Sequence, residues 1–349
     1  MIADNATNTV VNNDDEQQFD WSSPYSLAFI LIISVLMIAL SLLTVVGNLM
    51  VMISFYIDKN IRQPSNYFIF SLAVSDLMIG LEGFPFLTLY TLHGQKWTMG
   101  WFMCDLWLSV DYTVCLASIY TVLSITVDRY CSVKIPATYR NWRTKKRMTA
   151  IIILTWVVPA LLFFVSVFGW GYFSGKGRIL LEHECEVQFM RSNPYFNMSM
   201  YISYYWSTLV VIVRRLTTII NGGGSGESVI LRRRRSSHRR HGGGGKKRQI
   251  ADAKQQQQRH KKSKTENRAR KALRTITIIL GAFVLFWTPF YVMATIYGFC
   301  PECIPSWAYV TSYYMCYLNS PINPFCYAMA NIQFKKTFMR MFRGDFHRA

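Results

Sequence analysis

Apolar runs of about twenty residues or more alternate with short polar stretches along this chain, and seven can be placed: 26–56, 64–92, 101–133, 147–170, 194–220, 272–299 and 304–330. A helix rises about 1.5 Å per residue, so each run is long enough to cross the roughly 30 Å apolar core of a bilayer. The pattern predicts an all-α membrane protein, a seven-transmembrane helix bundle with five helices in 26–220 and two in 272–330. Residues 1–25 precede it as a polar N-terminal segment. Residues 221–271 hold two Gly-rich patches, the run Arg232 to Arg235, Gln255 to Gln258 and almost no apolar positions. With nothing to bury, they predict a flexible basic loop. In 331–349, Phe334, Phe338 and Phe342 alternate with Lys335, Lys336 and Arg340 across Ile332 to Phe342, which predicts a short amphipathic C-terminal helix on the membrane surface. The fifth run meets Arg214 and Arg215 after fewer than 20 residues, so either these arginines snorkel or this region is short or altered in this particular chain.

Composition agrees with the pattern, since 51% of the 349 residues are hydrophobic and only 16% are charged. The net charge of +19 is uneven. Of 38 basic residues, 34 fall after runs one, three and five or in the tail, leaving Lys96, Lys176, Arg178 and Arg191 on the opposite side. The positive-inside rule makes the larger group cytoplasmic, giving a multi-pass plasma-membrane protein with an extracellular N-terminus. Asn5 heads a glycosylation sequon on that outer side, whereas the sequon at Asn197 lies too near the membrane for a glycan. Beside an anionic leaflet the basic loop meets membrane lipids and acidic partner surfaces rather than nucleic acid. Four of the eight cysteines, Cys104, Cys185, Cys300 and Cys303, face the oxidising side, and the expected pairs are Cys104 with Cys185 and Cys300 with Cys303. The other reading of Cys300-Pro-Glu-Cys303, half a zinc site, needs two further ligands that no nearby stretch supplies.

The charges inside the runs carry the chemistry. A carboxylate at membrane depth costs several kcal/mol unless it faces a cavity or a partner, which makes Asp111 a candidate site residue. Arg129 follows it by 18 residues, so one helix presents a carboxylate near one face and an arginine near the other. Asp76 has Ser118, Asn319, Ser320 and Asn323 as polar candidates at similar depth. Two readings stand: a Na⁺ site with Asp76 as its charged ligand, or a water-filled hydrogen-bond cluster. Glu82 is six residues further on, on a different helical face, where it either borders a cavity or pairs with a neighbouring helix. Prolines at Pro289 and Pro324 interrupt runs six and seven, so these segments can pivot.

Together, Gly47-Asn48, Leu72-Ala-x-x-Asp76, Asp128-Arg129-Tyr130, Trp156, Phe283-x-x-x-Trp287-x-Pro289 and Asn323-Pro324-x-x-Tyr327 resemble the rhodopsin-like G-protein-coupled receptors across all seven helices. Within that class, Cys104-Asp-Leu-Trp-Leu108 followed by Asp111-Tyr112, Phe299-Cys300-x-x-Cys303 and Cys316-Tyr317-x-Asn319-Ser320 are similar to muscarinic acetylcholine receptors, most of all to their divergent invertebrate branch. The resemblance implies a synaptic receptor for an acetylcholine-like cationic agonist, coupled to a heterotrimeric G protein of the Gi/o rather than the Gq class. It implies ligand contacts at Asp111, Tyr112, Cys115, Trp287, Phe290, Tyr291, Tyr313, Cys316 and Tyr317, and a coupling switch of Asp128, Arg129, Tyr130, Pro289, Asn323, Pro324 and Tyr327. No cofactor is implied beyond the allosteric Na⁺.

Departures from the family pattern stand at Cys115 and Leu116, where it has Ser-Asn, and at Tyr291, where it has the Asn that bonds the ligand's ester. The inner part of helix five lacks the usual Tyr, and Ala269 replaces the acidic residue at the base of helix six. A monoamine is the alternative ligand. A cation-coupled transporter would show internal repeats with paired broken helices, which are not found here. For an enzyme, no nucleophile, base and orienting residue converge.

Overall fold

A computed structural model describes residues 23–215, 217–218 and 277–347. The sequon at Asn5, the basic loop 221–271 and Ala269 lie outside them. Every long element is a helix, numbered here α1 (Leu27–Ile57), α2 (Asn66–Leu92), α3 (Gly100–Lys134), α4 (Lys145–Phe173), α5 (from Pro194), α6 (Thr277–Phe299), α7 (Ser306–Ala330) and α8 (Ile332–Phe342). Capping fixes several starts. Ser26, Thr144, Asn193 and Asn331 each accept a backbone N–H from the first turn of the helix that follows.

Burial sorts the helices by position. In its most apolar stretch α3 is 72% buried, against 6% for α1, so α3 is the axis of the bundle and α1 a flank whose Leu31, Ile32, Val35 and Ile38 lie bare. An outward apolar surface of this kind fits lipid, not water. Around α3, the Trp156 indole of α4 donates to Ser71 of α2 at 3.0 Å.

Prolines and small residues set the approach of α7. Pro324 cannot donate to the Ser320 carbonyl one turn earlier, and that carbonyl instead accepts from Asn48 Nδ2 of α1 at 3.3 Å. Gly47 makes the approach feasible, because a Cβ there would meet Pro324 Cγ at 3.1 Å. The buried Asn48 therefore bridges two helices.

Among the described residues, two helices are interrupted by π turns, Ile79–Gly83 within α2 and Ile202–Trp206 within α5. Each widens the helix and changes the direction of the residues beyond it, which a uniform 100° step misses. Past its π turn α5 stays helical, and Arg215 stacks on the Tyr130 ring at 4.4 Å. Arg215 thus rests its guanidinium on an aromatic face.

Both expected cysteine pairs are bonded, Cys104–Cys185 and Cys300–Cys303. The first ties the start of α3 to the loop before α5, and the second closes the turn between α6 and α7. At the opposite end, α8 buries Phe334 against Phe55 and Tyr327, buries Phe338 edge-on to Phe334, and points Phe342 outward, so only two of its three phenylalanines are buried.

Candidate functional site

Asp111 is the focus of the disulfide end. Helix α3 holds it at 1% exposure, and two hydroxyls from α7 reach it: Tyr313 donates to Oδ2 at 2.5 Å and Tyr317 to Oδ1 at 2.7 Å. Tyr313 and Tyr317 stand four apart on α7, which puts both on one face. One helical turn along α3, Cys115 Sγ lies 3.9 Å from Oδ1. The carboxylate is thus met by neutral donors and by no basic side chain within salt-bridge distance among the described residues. A positive ligand is the partner that such a group lacks.

Aromatic faces close the space beside it. Asp111, Tyr112, Cys115, Leu116, Phe163, Trp287, Phe290, Tyr291, Tyr313 and Cys316 line a cavity of about 10 Å³, little more than room for one water. Phe290 stacks on Tyr313 at 5.0 Å, which places it in the wall of the cavity. Tyr291 stacks on Tyr205 at 3.8 Å and meets Tyr201 and Tyr204 edge-on. Where the family pattern has an amide, this chain has a four-tyrosine wall. The α5 tyrosines were not foreseen from sequence, although the spacing Tyr201, Tyr204, Tyr205 marks one helical face.

A second cavity, of about 80 Å³, lies against the first and is lined by Tyr90, Trp107, Glu186, Met190, Tyr297 and Tyr309 among others, together with Tyr112 and Tyr313. Those last two belong to both cavities and so form the partition between them. Glu186 is held by Arg191 at 3.4 Å, and burial pushes its carboxyl above the ordinary range. Sequence reasoning missed the loop residues Glu186 and Met190, which no motif marks.

The seven-transmembrane receptor (rhodopsin family) model matches residues 47–327. The chain belongs to that family. It is a receptor, then, and not an enzyme, and as a multi-pass membrane protein it fits the bare apolar belt of the bundle. Among curated relatives, muscarinic acetylcholine receptor gar-2 of Caenorhabditis elegans is 65% identical over 178 residues, 51% of this chain and 28% of that protein. Probable muscarinic acetylcholine receptor gar-1 of the same organism is 45% identical over 56% of this chain and 27% of its own length. The human muscarinic acetylcholine receptor M1 is 30% identical across 90% of this chain and 89% of that receptor. The matched part of this chain thus spans less than a third of either nematode relative.

Deeper in the receptor, Asp76 Oδ2 accepts from Asn323 Nδ2 at 2.8 Å, while Oδ1 has no partner among the described residues. Asn48 Oδ1 and Ser118 Oγ are likewise buried and unpartnered, and Ser320 lies close to the carboxylate. Asn319 is buried at the same level. Oxygens of these types are ones that a hard cation can bind.

At the far end, Asp128 is the hub. Tyr139 donates to its Oδ1 at 2.9 Å, Arg143 stands 3.8 Å away, and Arg129 Nε lies 3.8 Å from Oδ2. Arg129 is therefore held by its own neighbour. Tyr327 is 1% exposed with its hydroxyl unpartnered.

Proposed function

We propose that this protein is a cell-surface receptor for a small cationic neurotransmitter, acetylcholine, which it receives from the side carrying the disulfides, and that it activates a heterotrimeric G protein at the Arg129 end. The observation that carries the reading is Asp111, a buried carboxylate met by two tyrosine hydroxyls and enclosed by rings, with no basic side chain at hand among the described residues. Quaternary ammonium offers no N–H to a carboxylate, so it is recognised by charge and by π faces, each worth about 0.5 to 2 kcal/mol. Tyr112, Trp287, Phe290, Tyr313 and Tyr317 supply such faces. Its similarity to muscarinic acetylcholine receptors supports the same ligand. The N-terminus faces outward on the charge asymmetry of the loops. Gi/o coupling ahead of Gq is carried over from the family resemblance.

A panel of acetylcholine, muscarinic agonists and monoamines, applied to cells expressing the chain and read by several G-protein sensors, tests this. Acetylcholine is expected to act at the lowest concentration. A primary monoamine winning instead would show that Asp111 serves as an N–H acceptor and overturn the quaternary-ammonium reading. The four-tyrosine wall adds a second expectation: standard muscarinic antagonists, with larger frames and an ester, bind poorly here. Tyr291→Asn is expected to raise their affinity about tenfold, the worth of one regained hydrogen bond plus the room gained. Unchanged antagonist binding in that variant refutes this account of the wall.

Asp76, with Asn48, Ser118, Asn319 and Ser320, is proposed as a Na⁺ site that favours the inactive arrangement. Agonist affinity is then expected to fall when Na⁺ replaces a large organic cation at constant ionic strength. In Asp76→Asn the response disappears; an equal response in wild type and variant rejects the site.

A further inference from the structure

Tyr205 does not line the cavity at Asp111, yet it stands directly behind the wall of that cavity. Its side chain is fully buried and leaves α5 within the π turn Ile202–Trp206, a local widening of the kind that recurs at functional positions. The Tyr205 ring lies flat on Tyr291 at 3.8 Å with the two planes 15° apart, and Tyr291 does line the cavity. At the tip of that ring, the Tyr205 hydroxyl lies 2.8 Å from Thr288 Oγ1 of α6. Thr288 gives its one hydroxyl proton to the Val284 carbonyl at 2.6 Å, so Tyr205 is the donor and Thr288 the acceptor. Thr288 directly precedes Pro289, and the bond therefore ties α5 to α6 beside its proline break.

The cavity has little more than room for one water, so every ammonium that reaches Asp111 pushes part of its wall back, and a larger head group pushes further. Tyr291 gives way toward α5 by carrying Tyr205 with it, and Tyr205 moves by breaking its bond to Thr288. Stack and bond thus act in series. A Phe in place of Tyr205 would still lie behind Tyr291, but it would slide or tilt at less cost, having no bond to lose at Thr288. Tyr201 and Tyr204 meet Tyr291 edge-on at 5.3 and 5.9 Å, so neither lies flat behind it as Tyr205 does. We propose that Tyr205 is a positioning residue that determines specificity without touching the ligand: its hydroxyl, anchored on Thr288, braces Tyr291 and sets how large an ammonium the site admits. This rests on Asp111 as the ligand's counter-charge.

The probes are tetramethylammonium and tetrapropylammonium, which carry the same permanent charge and differ in size. Each is titrated against the purified full-length receptor at constant ionic strength, and the dependence of Tm on its concentration gives an apparent Kd. Tyr205→Phe is expected to strengthen tetrapropylammonium binding about fivefold, the worth of one neutral hydrogen bond, and to move tetramethylammonium less than about twofold. Thr288→Val removes the same bond from the side of α6. It is expected to shift the ratio of the two affinities equally, and the double variant no further. A role in folding alone lowers the ligand-free Tm and leaves that ratio at its wild-type value. An unchanged ratio in Tyr205→Phe overturns the proposal, as does a double variant whose shift is the sum of the two single ones. If Tyr205→Phe does not reach the membrane, the ratio in Thr288→Val decides. Asp111→Asn separates the two claims. If it binds tetramethylammonium as tightly as wild type, the ligand site itself is wrong; if it binds far more weakly while Tyr205→Phe keeps the wild-type ratio, only the role of Tyr205 falls.

Discussion

Asp111→Asn is expected to weaken acetylcholine binding by about two to three orders of magnitude while the receptor still reaches the cell surface. The amide has the shape of the carboxylate, and its oxygen still accepts from one of the two tyrosines that now bond Asp111. What it lacks is the charge. Truncating one partner of a buried charge pair costs about 2 to 5 kcal/mol, and each 1.4 kcal/mol is tenfold in affinity. Concentration–response curves from a G-protein sensor, normalised to surface labelling, measure the effect; wild-type potency would refute the site. Tyr317→Phe removes one hydroxyl at 2.7 Å and leaves the ring, so a loss of about tenfold is expected there.

The second large effect concerns folding. The Cys104–Cys185 bond spans 81 residues, whereas Cys300–Cys303 spans 3. Chain-entropy arithmetic gives about 4.5 kcal/mol for the first loop and about 2 kcal/mol for the second. Both are upper limits in a membrane, where inserted helices already hold the loop ends near each other. The first bond also anchors the loop that carries Glu186 and Met190 over the larger cavity. Cys104→Ser is accordingly expected to abolish most surface expression and all ligand binding, and Cys300→Ser to lower thermal stability by a few degrees with binding retained. Thermal melting of the two purified variants, alongside surface counts, decides the order. A Cys300→Ser receptor less stable than Cys104→Ser would contradict it.

The helices were legible because lipid imposes one rule on every span: bury or bond each backbone group, and face the hydrocarbon with apolar side chains. The runs beginning at 26 and 64 in sequence become helices beginning at Leu27 and Asn66. Asp111 was legible for the converse reason, since a charge in such a run demands an explanation. The direction of Glu82 was not. A rotation of 240° from Asp76 assumes α-helical steps throughout, but the turn Ile79–Gly83 is wider. Nothing in Ile-Gly-Leu-Glu-Gly announces that change, because a π turn depends on how α1, α3 and α7 pack around it. The α5 wall failed for another reason. Aromatic residues on a membrane helix are ordinarily packing, and only their contact with Tyr291, which lines the cavity, shows Tyr201, Tyr204 and Tyr205 backing its wall.

Tyr112 and Tyr313 bound both the small cavity at Asp111 and the larger one outside it. Any molecule entering or leaving by this route must part them, and parting them breaks the Tyr313 hydroxyl bond to Asp111. The bond lost in the passage is one that reforms once the molecule has gone by in either direction. Residence time is thereby separated from affinity: shaving the partition speeds arrival and departure together, while the depth of the well is set by what lies below it.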